Sequence, residues 1–356
     1  MTPTRRRFLG AAAGAAALAA LPRLTWAEAG SPACLAAAKA ADGSYAVQGL
    51  TARGARLFAL PLPGRGHAAA AHPTRPLAVA FARRPGSFAL VLNAVTGAQA
   101  ARLTPPDGRQ FNGHGAFDAE GAVLMTSEVV AETSEGRIGL WATTDWRRIG
   151  EWSTGGIGPH DVKRLPDGRL VVANGGIQTD PQDRSKLNID RMQPSLTYLG
   201  TDGTILDQVR LDPDLAQNSI RHLALLADGR VAFAMQWEGD PAETVPLLGL
   251  HRTGEAPVLA DTPETEAFVM QGYAGSIAEA GGRIAITSPR GGAVMVYGSD
   301  GRWQATHRRA DVCGVAADGA DFIVTDGSGG FGRIAGDRLT MLGTGPDQWD
   351  NHLIAI

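Results

Sequence analysis

The sequence predicts an all-β fold, a seven-bladed β-propeller whose last blade is closed by N-terminal and C-terminal strands together. Three observations carry this reading. A strand–turn–strand unit recurs about every 40 to 45 residues, the period of a propeller blade. The chain ends in one strand, residues 352–356, with no partner strand after it. Two strand-like pieces near the start, residues 45–50 and 55–60, precede the first full unit and lack partners of their own. Pairing the orphan strands with one another makes a seventh blade and removes open sheet edges.

The clearest unit runs from Pro159 to Gly175. Val162 and its neighbours form a strand, Pro166-Asp167-Gly168 forms a tight turn, and Leu170-Val171-Val172-Ala173 forms a buried strand. Gly168 suits that turn because it tolerates positive φ. The first unit starts at His67, with strands at 77–81 and 88–93. The second starts at His114, with strands at 122–126, 138–141 and 148–152. The third is the unit at His160, and it carries a polar insertion at residues 177–193 before its next strand. The fourth starts at His222, the fifth near Gly275 and the sixth near Cys313. Residues 28–43 are Ala-rich and read as a short helix or loose arm, so the propeller domain is placed at 44–356.

Composition fits a globular protein, with 44% hydrophobic and 19% charged residues and 46 glycines for many turns. The net charge is −3, becoming about −7 if a leader carrying Arg5, Arg6, Arg7 and Arg23 is removed. No basic patch dominates, so nucleic acid is not an expected partner. Residues 1–27 read as that leader. A twin-arginine pair followed by Phe8-Leu9, a small-residue apolar run and Thr25-Trp26-Ala27 before Glu28 resemble a Tat export signal. The apolar run is too short and Ala-rich for a stable membrane span. The expected location is therefore the periplasm. In such an oxidising compartment Cys34 and Cys313 can pair or remain free.

Five units place a histidine at one register position: His67, His114, His160, His222 and His352. The first strand of each propeller blade lines the central channel, so a repeated position converges on one mouth of that channel. Neutral imidazole is a ligand for iron, copper, nickel and zinc. The five are therefore candidate metal ligands, and the alternative is that each histidine only ties neighbouring blades together. Residues at the ends of the second strands return to the same face. They include Arg83, Glu128, Asn174, Gln236, Ser288 and Asp326. Asp161, Arg221 and Asn351 adjoin ring histidines. These polar groups are candidates to orient the imidazoles or bind a ligand, and Arg83 with Arg221 suits an anion such as a carboxylate. The other histidines, His72, His251 and His307, read as surface or local hydrogen-bonding residues. The insertion leaves from the same face and can act as a lid, a partner-binding arm or a surface loop. No nucleotide-binding loop, nucleophile elbow, zinc-protease helix or haem-attachment motif is present in the sequence.

The twin-arginine leader, Gly113-His114-Gly115, Gly158-Pro159-His160-Asp161, Arg221-His222-Leu223 and Trp349-Asp350-Asn351-His352 resemble the DUF1513 family of exported bacterial propellers. The resemblance implies a setting among imelysin-like and di-haem periplasmic proteins, hence iron acquisition or handling. It supplies no catalytic residues. Pro166-Asp167-Gly168-Arg169-Leu170-Val171-Val172-Ala173-Asn174 also resembles the YVTN repeat of other propellers, bacterial lactonases among them, but that motif specifies a blade rather than an activity. The expected function is a monomeric periplasmic propeller that binds iron, or next copper, through the histidine ring. Its rivals are a metal-dependent lactonase-like hydrolase or oxidoreductase at the same mouth, and a non-catalytic interaction scaffold.

Overall fold

A computed structural model describes residues 24–356. The twin-arginine pair and apolar run lie outside the described residues. Trp26, beside the expected cleavage point, donates its indole N–H to the carbonyl of His72 at 2.9 Å.

Seven four-stranded antiparallel sheets form the fold. Blade 1 is β4 (Gly66–Ala71) to β7 (Gln99–Leu103), and blade 2 is β8 (Arg109–Phe117) to β11 (Arg148–Ile157). Blade 3 is β12 (Pro159–Arg164) to β15 (Ile205–Val209), and blade 4 is β16 (Asn218–Leu225) to β19 (Val258–Leu259). Blade 5 is β20 (Ser276–Ala280) to β23 (Trp303–Arg308), and blade 6 is β24 (Val312–Asp318) to β27 (Arg338–Thr344). Blade 7 joins β1 (Cys34–Lys39), β2 (Tyr45–Leu50) and β3 (Arg56–Leu62) to the C-terminal strand β28 (Gln348–Ala355), in the order β28-β1-β2-β3 with β28 innermost. The expected closure by the two ends of the chain is present, and the innermost strands of successive blades touch in a complete ring.

The N-terminal expectation needs one correction. Cys34–Lys39, read as helix or loose arm, is strand β1, paired with β2 (Tyr45–Leu50) on one side and β28 on the other. Its Leu-Ala-Ala-Ala run has high helix propensity. Two flanking ladders and near-complete burial override that propensity.

The turns repeat at atomic detail. Gly168 has φ +90° and donates to the Leu165 carbonyl, while Asp167 accepts from the Arg169 backbone and guanidinium. Blade 4 repeats this with Gly229 at φ +85°, Leu226, Asp228 and Arg230.

The core is seven apolar layers, one in each interface between neighbouring blades. Phe81 and Val91 of blade 1 meet Phe111, Leu124 and Trp141 of blade 2, for example. Side chains alternate between the two faces of each blade, so a regular strand aims them into interfaces rather than at the axis. Cys34 and Cys313 sit together in the layer between blades 6 and 7, both free and buried. Burial pushes each thiol up to about 12, which makes both unreactive.

Candidate metal centre

What turns the histidines toward the axis is a break in the ladder. The innermost strand of blade 1 slips register between Gly66 and Ala69, around His67. Blade 2 slips between Phe111 and Gly115, around His114, and blade 3 between Pro159 and Val162, around His160. In blade 4 the slip is at Arg221, immediately before His222, and in blade 7 it spans Asp350, Asn351 and His352. A β-bulge re-aims a side chain that a regular strand would send to a sheet face. Gly113 makes the second bulge possible: its φ is +99°, and a Cβ there would lie 2.5 Å from the His67 ring.

All five rings converge. His67 lies 5.0 Å from His114, 5.3 Å from His160 and 4.6 Å from His352, centroid to centroid. His114 lies 4.6 Å from His160 and 4.8 Å from His352. Ligand nitrogens of His67, His114, His160 and His352 all fall within 4.8 Å of one another. His222 stands at the edge of this group, 4.8 Å from both His160 and His352 and 5.8 Å from His114.

The cluster is buried and several of its nitrogens have no protein partner. All five side chains are buried. His67 Nδ1, His114 Nε2, His160 Nδ1, His222 Nδ1 and His352 Nε2 are buried without a hydrogen bond. Such groups normally find partners, and leaving them bare costs free energy. Burial holds His67 down to about 4, with further help from His114 and Arg83, and pushes His114, His160, His222 and His352 down as well. The imidazoles are therefore neutral at neutral pH, the form that binds metal.

Two buried carboxylates support the rings. Asp161 of blade 3 places Oδ1 3.3 Å from His114 Nδ1 and accepts from the Leu223 amide of blade 4 at 3.0 Å. A donated Nδ1–H fixes the tautomer and leaves His114 Nε2 bare toward the cluster. Asp350 of blade 7 lies 3.8 Å from His67 Nδ1 and is paired with Arg65 at 2.6 Å. Burial alone would raise both carboxyls. Lys163 and His114 outweigh it at Asp161, and His67 and Arg65 at Asp350, so both stay well below the usual carboxylate range. Two buried negative charges beside neutral imidazoles complement a divalent cation.

The donor set fits a metal. His67 Nε2 and His160 Nε2 are 3.4 Å apart, matching the ~3.4 Å expected for two nitrogens each about 2.1 Å from one tetrahedral ion. A separation as long as 4.8 Å, the upper bound in the group, must close by roughly 1.4 Å for all four to sit tetrahedrally around the same ion.

The strand-end residues divide. Arg83 and Gln236 line a cavity of about 190 Å³ that opens onto His67, His160 and His222, and Arg221 and Asn351 line it too. Glu128, Asn174 and Asp326 are not brought to the histidines. Glu128 turns outward to Arg148 at 2.8 Å and to Thr126. Asn174 bonds Thr154, Ser195 and Thr197. Asp326 holds Arg309, Ser328 and the Gly330 amide. All three stand on regular second strands, whose side chains face the blade surfaces rather than the channel. Ser288 likewise donates to the Met270 carbonyl.

His72 and His251 have local partners: the Gly121 carbonyl for His72, and Tyr198 with the Glu255 carbonyl for His251. The sequence places Asp350 among the polar residues near the ring but does not single it out as a supporting carboxylate as it does Asp161, and the structure gives it that place beside His67 and Arg65. Sequence reading passed over Arg84, Arg184, Lys186 and Arg290 in the cavity wall, which share no common spacing.

Fold and site together define a β-propeller with a buried histidine cluster that could hold a metal ion. Residues 60–356 match the family described as protein of unknown function (DUF1513), and the chain belongs to that family. No curated protein sequence is detectably similar. Among solved structures, the Kuenenia stuttgartiensis hydrazine synthase superposes with a TM-score of 0.60 at 13% identity, covering 85% of this chain and 90% of that one. The Staphylococcus aureus virginiamycin B lyase gives 0.54 at 13% identity, over 74% and 80%. A streptogramin B lyase gives 0.56 at 13% identity, over 79% and 84%. At that identity the likeness is one of fold.

Proposed function

We propose that this protein is a periplasmic metal-binding propeller that holds one iron ion, or next copper, through His67, His114, His160 and His352, with His222 as a fifth group at the rim. The observation that carries the reading is four neutral, buried imidazoles from four blades, each offering one ring nitrogen within 4.8 Å of the others. Imidazole suits iron and copper as well as zinc and nickel. Iron is put first because of the iron-handling setting that the family resemblance implies, with imelysin-like and di-haem proteins as partners. Export is inferred from the twin-arginine leader. In this reading the metal supplies a redox or Lewis-acid centre. The chain orients the imidazoles through Asp161 and Asp350, keeps them neutral and excludes bulk water.

A metal-dependent enzyme, whether a lactonase-like hydrolase or an oxidoreductase, is the second reading. It is favoured by the cavity that opens onto three of the histidines. The test of the first is metal content of the protein exported through its own leader, beside a variant with His114, His160 and His222 changed to Ala. Near-stoichiometric iron or copper in the periplasmic parent and none in the folded variant supports it. A metal-free parent that also takes up no iron, copper or zinc rejects it. Turnover of a lactone or a redox substrate by the loaded protein supports the second.

A further inference from the structure

The cavity above the histidines has an unusual charge. Six cationic side chains line it: Arg83, Arg84, Arg184, Lys186, Arg221 and Arg290. They come from blade 1, the blade 3 insertion, blade 4 and blade 5, so the charge arrives from several walls. Glu238 is the one carboxylate among the lining residues, and Lys186 already pairs with it. Arg83 makes a distant contact with Asp350 at 3.9 Å. Among the described residues Arg84, Arg184, Arg221 and Arg290 form no ion pair, although Arg290 lies over the ring of Tyr273.

Arg221 is the telling member. It sits at the bulge of β16, is 5% exposed, and its Nε has no hydrogen-bond partner. Burying an unpaired guanidinium is expensive. Gly175 makes room for it, since a Cβ there would lie 2.8 Å from Arg221 Nη1. Burial pushes Arg84 well below its usual range, and Arg221, Arg184 and Arg83 push further. A guanidinium stays charged in proteins, so these neighbouring cations repel one another, and the lining offers only Glu238, already paired with Lys186, to oppose them. The insertion holds the outer wall in place. Gln110 of blade 2 donates to the Pro181 carbonyl, and Gln217 of blade 4 donates to the Ile189 carbonyl.

We propose that this vestibule is a binding site for a small polycarboxylate, whose carboxylates engage Arg84, Arg184, Arg221 and Arg290. Planar guanidinium forks match carboxylate oxygens in pairs. Charges spread over separate walls suit several linked carboxylates better than one compact tetrahedral anion. Thr179, Tyr273 and Asn351 add neutral hydrogen-bonding groups between the cations. The site stands whether or not the histidines hold a metal, because the uncompensated cations belong to the chain itself.

The test is calorimetry on chelator-treated full-length protein with tricarballylate, inorganic phosphate and acetate as probes. Tricarballylate should bind at least about tenfold more tightly than either other anion, and more weakly as salt screens the charges. R84Q and R184Q should each weaken it by about tenfold or more, as expected for losing a charge-assisted contact. R302Q, on an exposed turn of blade 5 far from the cavity, should leave it unchanged. Arg184 is exposed on its loop, so R184Q remains readable even if R84Q fails to fold. Tricarballylate binding no tighter than acetate, tightest binding by phosphate, or full affinity in R184Q would each overturn the proposal.

Discussion

Blades 7, 1, 2, 3 and 4 form one arc of the ring, and blades 5 and 6 form the rest. Every blade of the arc has a bulged innermost strand and a histidine at or beside the bulge. Blade 5 pairs β20 with β21 (Arg283–Ser288) in unbroken register from Ser276 to Ala280 and has Gly275 where the histidine would stand. Blade 6 is the informative intermediate. It has the bulge, between Val312 and Val315, but fills it with Cys313 and Gly314. Cys313 then joins the apolar layer against Ala36, Trp349 and Leu353. The bulge gives a side chain access to the axis, and the residue within it decides whether that access yields a ligand or a packing contact.

The sharpest way to break this comparison is to remove a bulge from the arc. Gly113→Ala places a Cβ at φ +99° and 2.5 Å from the His67 ring. A left-handed conformation alone costs an L-residue about 1–2 kcal/mol, and the clash adds to it. The variant should lose about 2 kcal/mol or more in denaturant unfolding and bind metal poorly. Unchanged stability with unchanged metal content would show that the bulge is not what aims the rings.

Acid should separate the arc from the rest next. A histidine held at about 4 in the fold takes up its proton in the unfolded chain near 6.5. The unfolded state then binds more protons between those values, so stability is full above about pH 6.5 and falls as the pH drops toward 4. With five depressed histidines the fall should be steep. Thermal unfolding between pH 7.5 and 4.5 measures it, and a flat profile would contradict the buried neutral cluster. Saturating metal should raise stability throughout the range above the fall.

A smaller effect is expected at the supporting carboxylate. Asp161→Asn keeps the shape but weakens the hold on His114 and on the Leu223 amide. Metal affinity should fall about 10–100-fold by titration with a competing chelator, as for other groups that orient metal-bound histidines. The mildest change tests specificity. His72→Gln alters a buried histidine bonded to the Gly121 carbonyl and should leave metal content unchanged. Loss of metal there would mean that general destabilisation, not ligation, explains the arc variants.

Much of this architecture was legible because it repeats. Asp-Gly turns after short apolar strands marked the blades, and five histidines at one register position marked the mouth. Strand β1 escaped because alanine has no strand signature, and its pairing depends on residues more than three hundred positions away. The strand-end ring was legible at Arg83 and Gln236 but not at Glu128, Asn174 and Asp326. Sequence spacing locates a residue along a strand, while the direction of its side chain depends on whether the ladder there is regular. The cationic vestibule was half visible, through Arg83 and Arg221. Arg84 follows a strand end, Arg184 rides an insertion and Arg290 follows the blade 5 second strand, so only the folded chain unites them.

The most direct test of the proposed metal centre is X-ray absorption spectroscopy of the protein as purified. The account predicts a single first-row metal with about four imidazole nitrogens near 2.1 Å, and loss of that shell in the His114, His160 and His222 variant. A bound metal whose shell is oxygen or sulfur without imidazole scattering would contradict it.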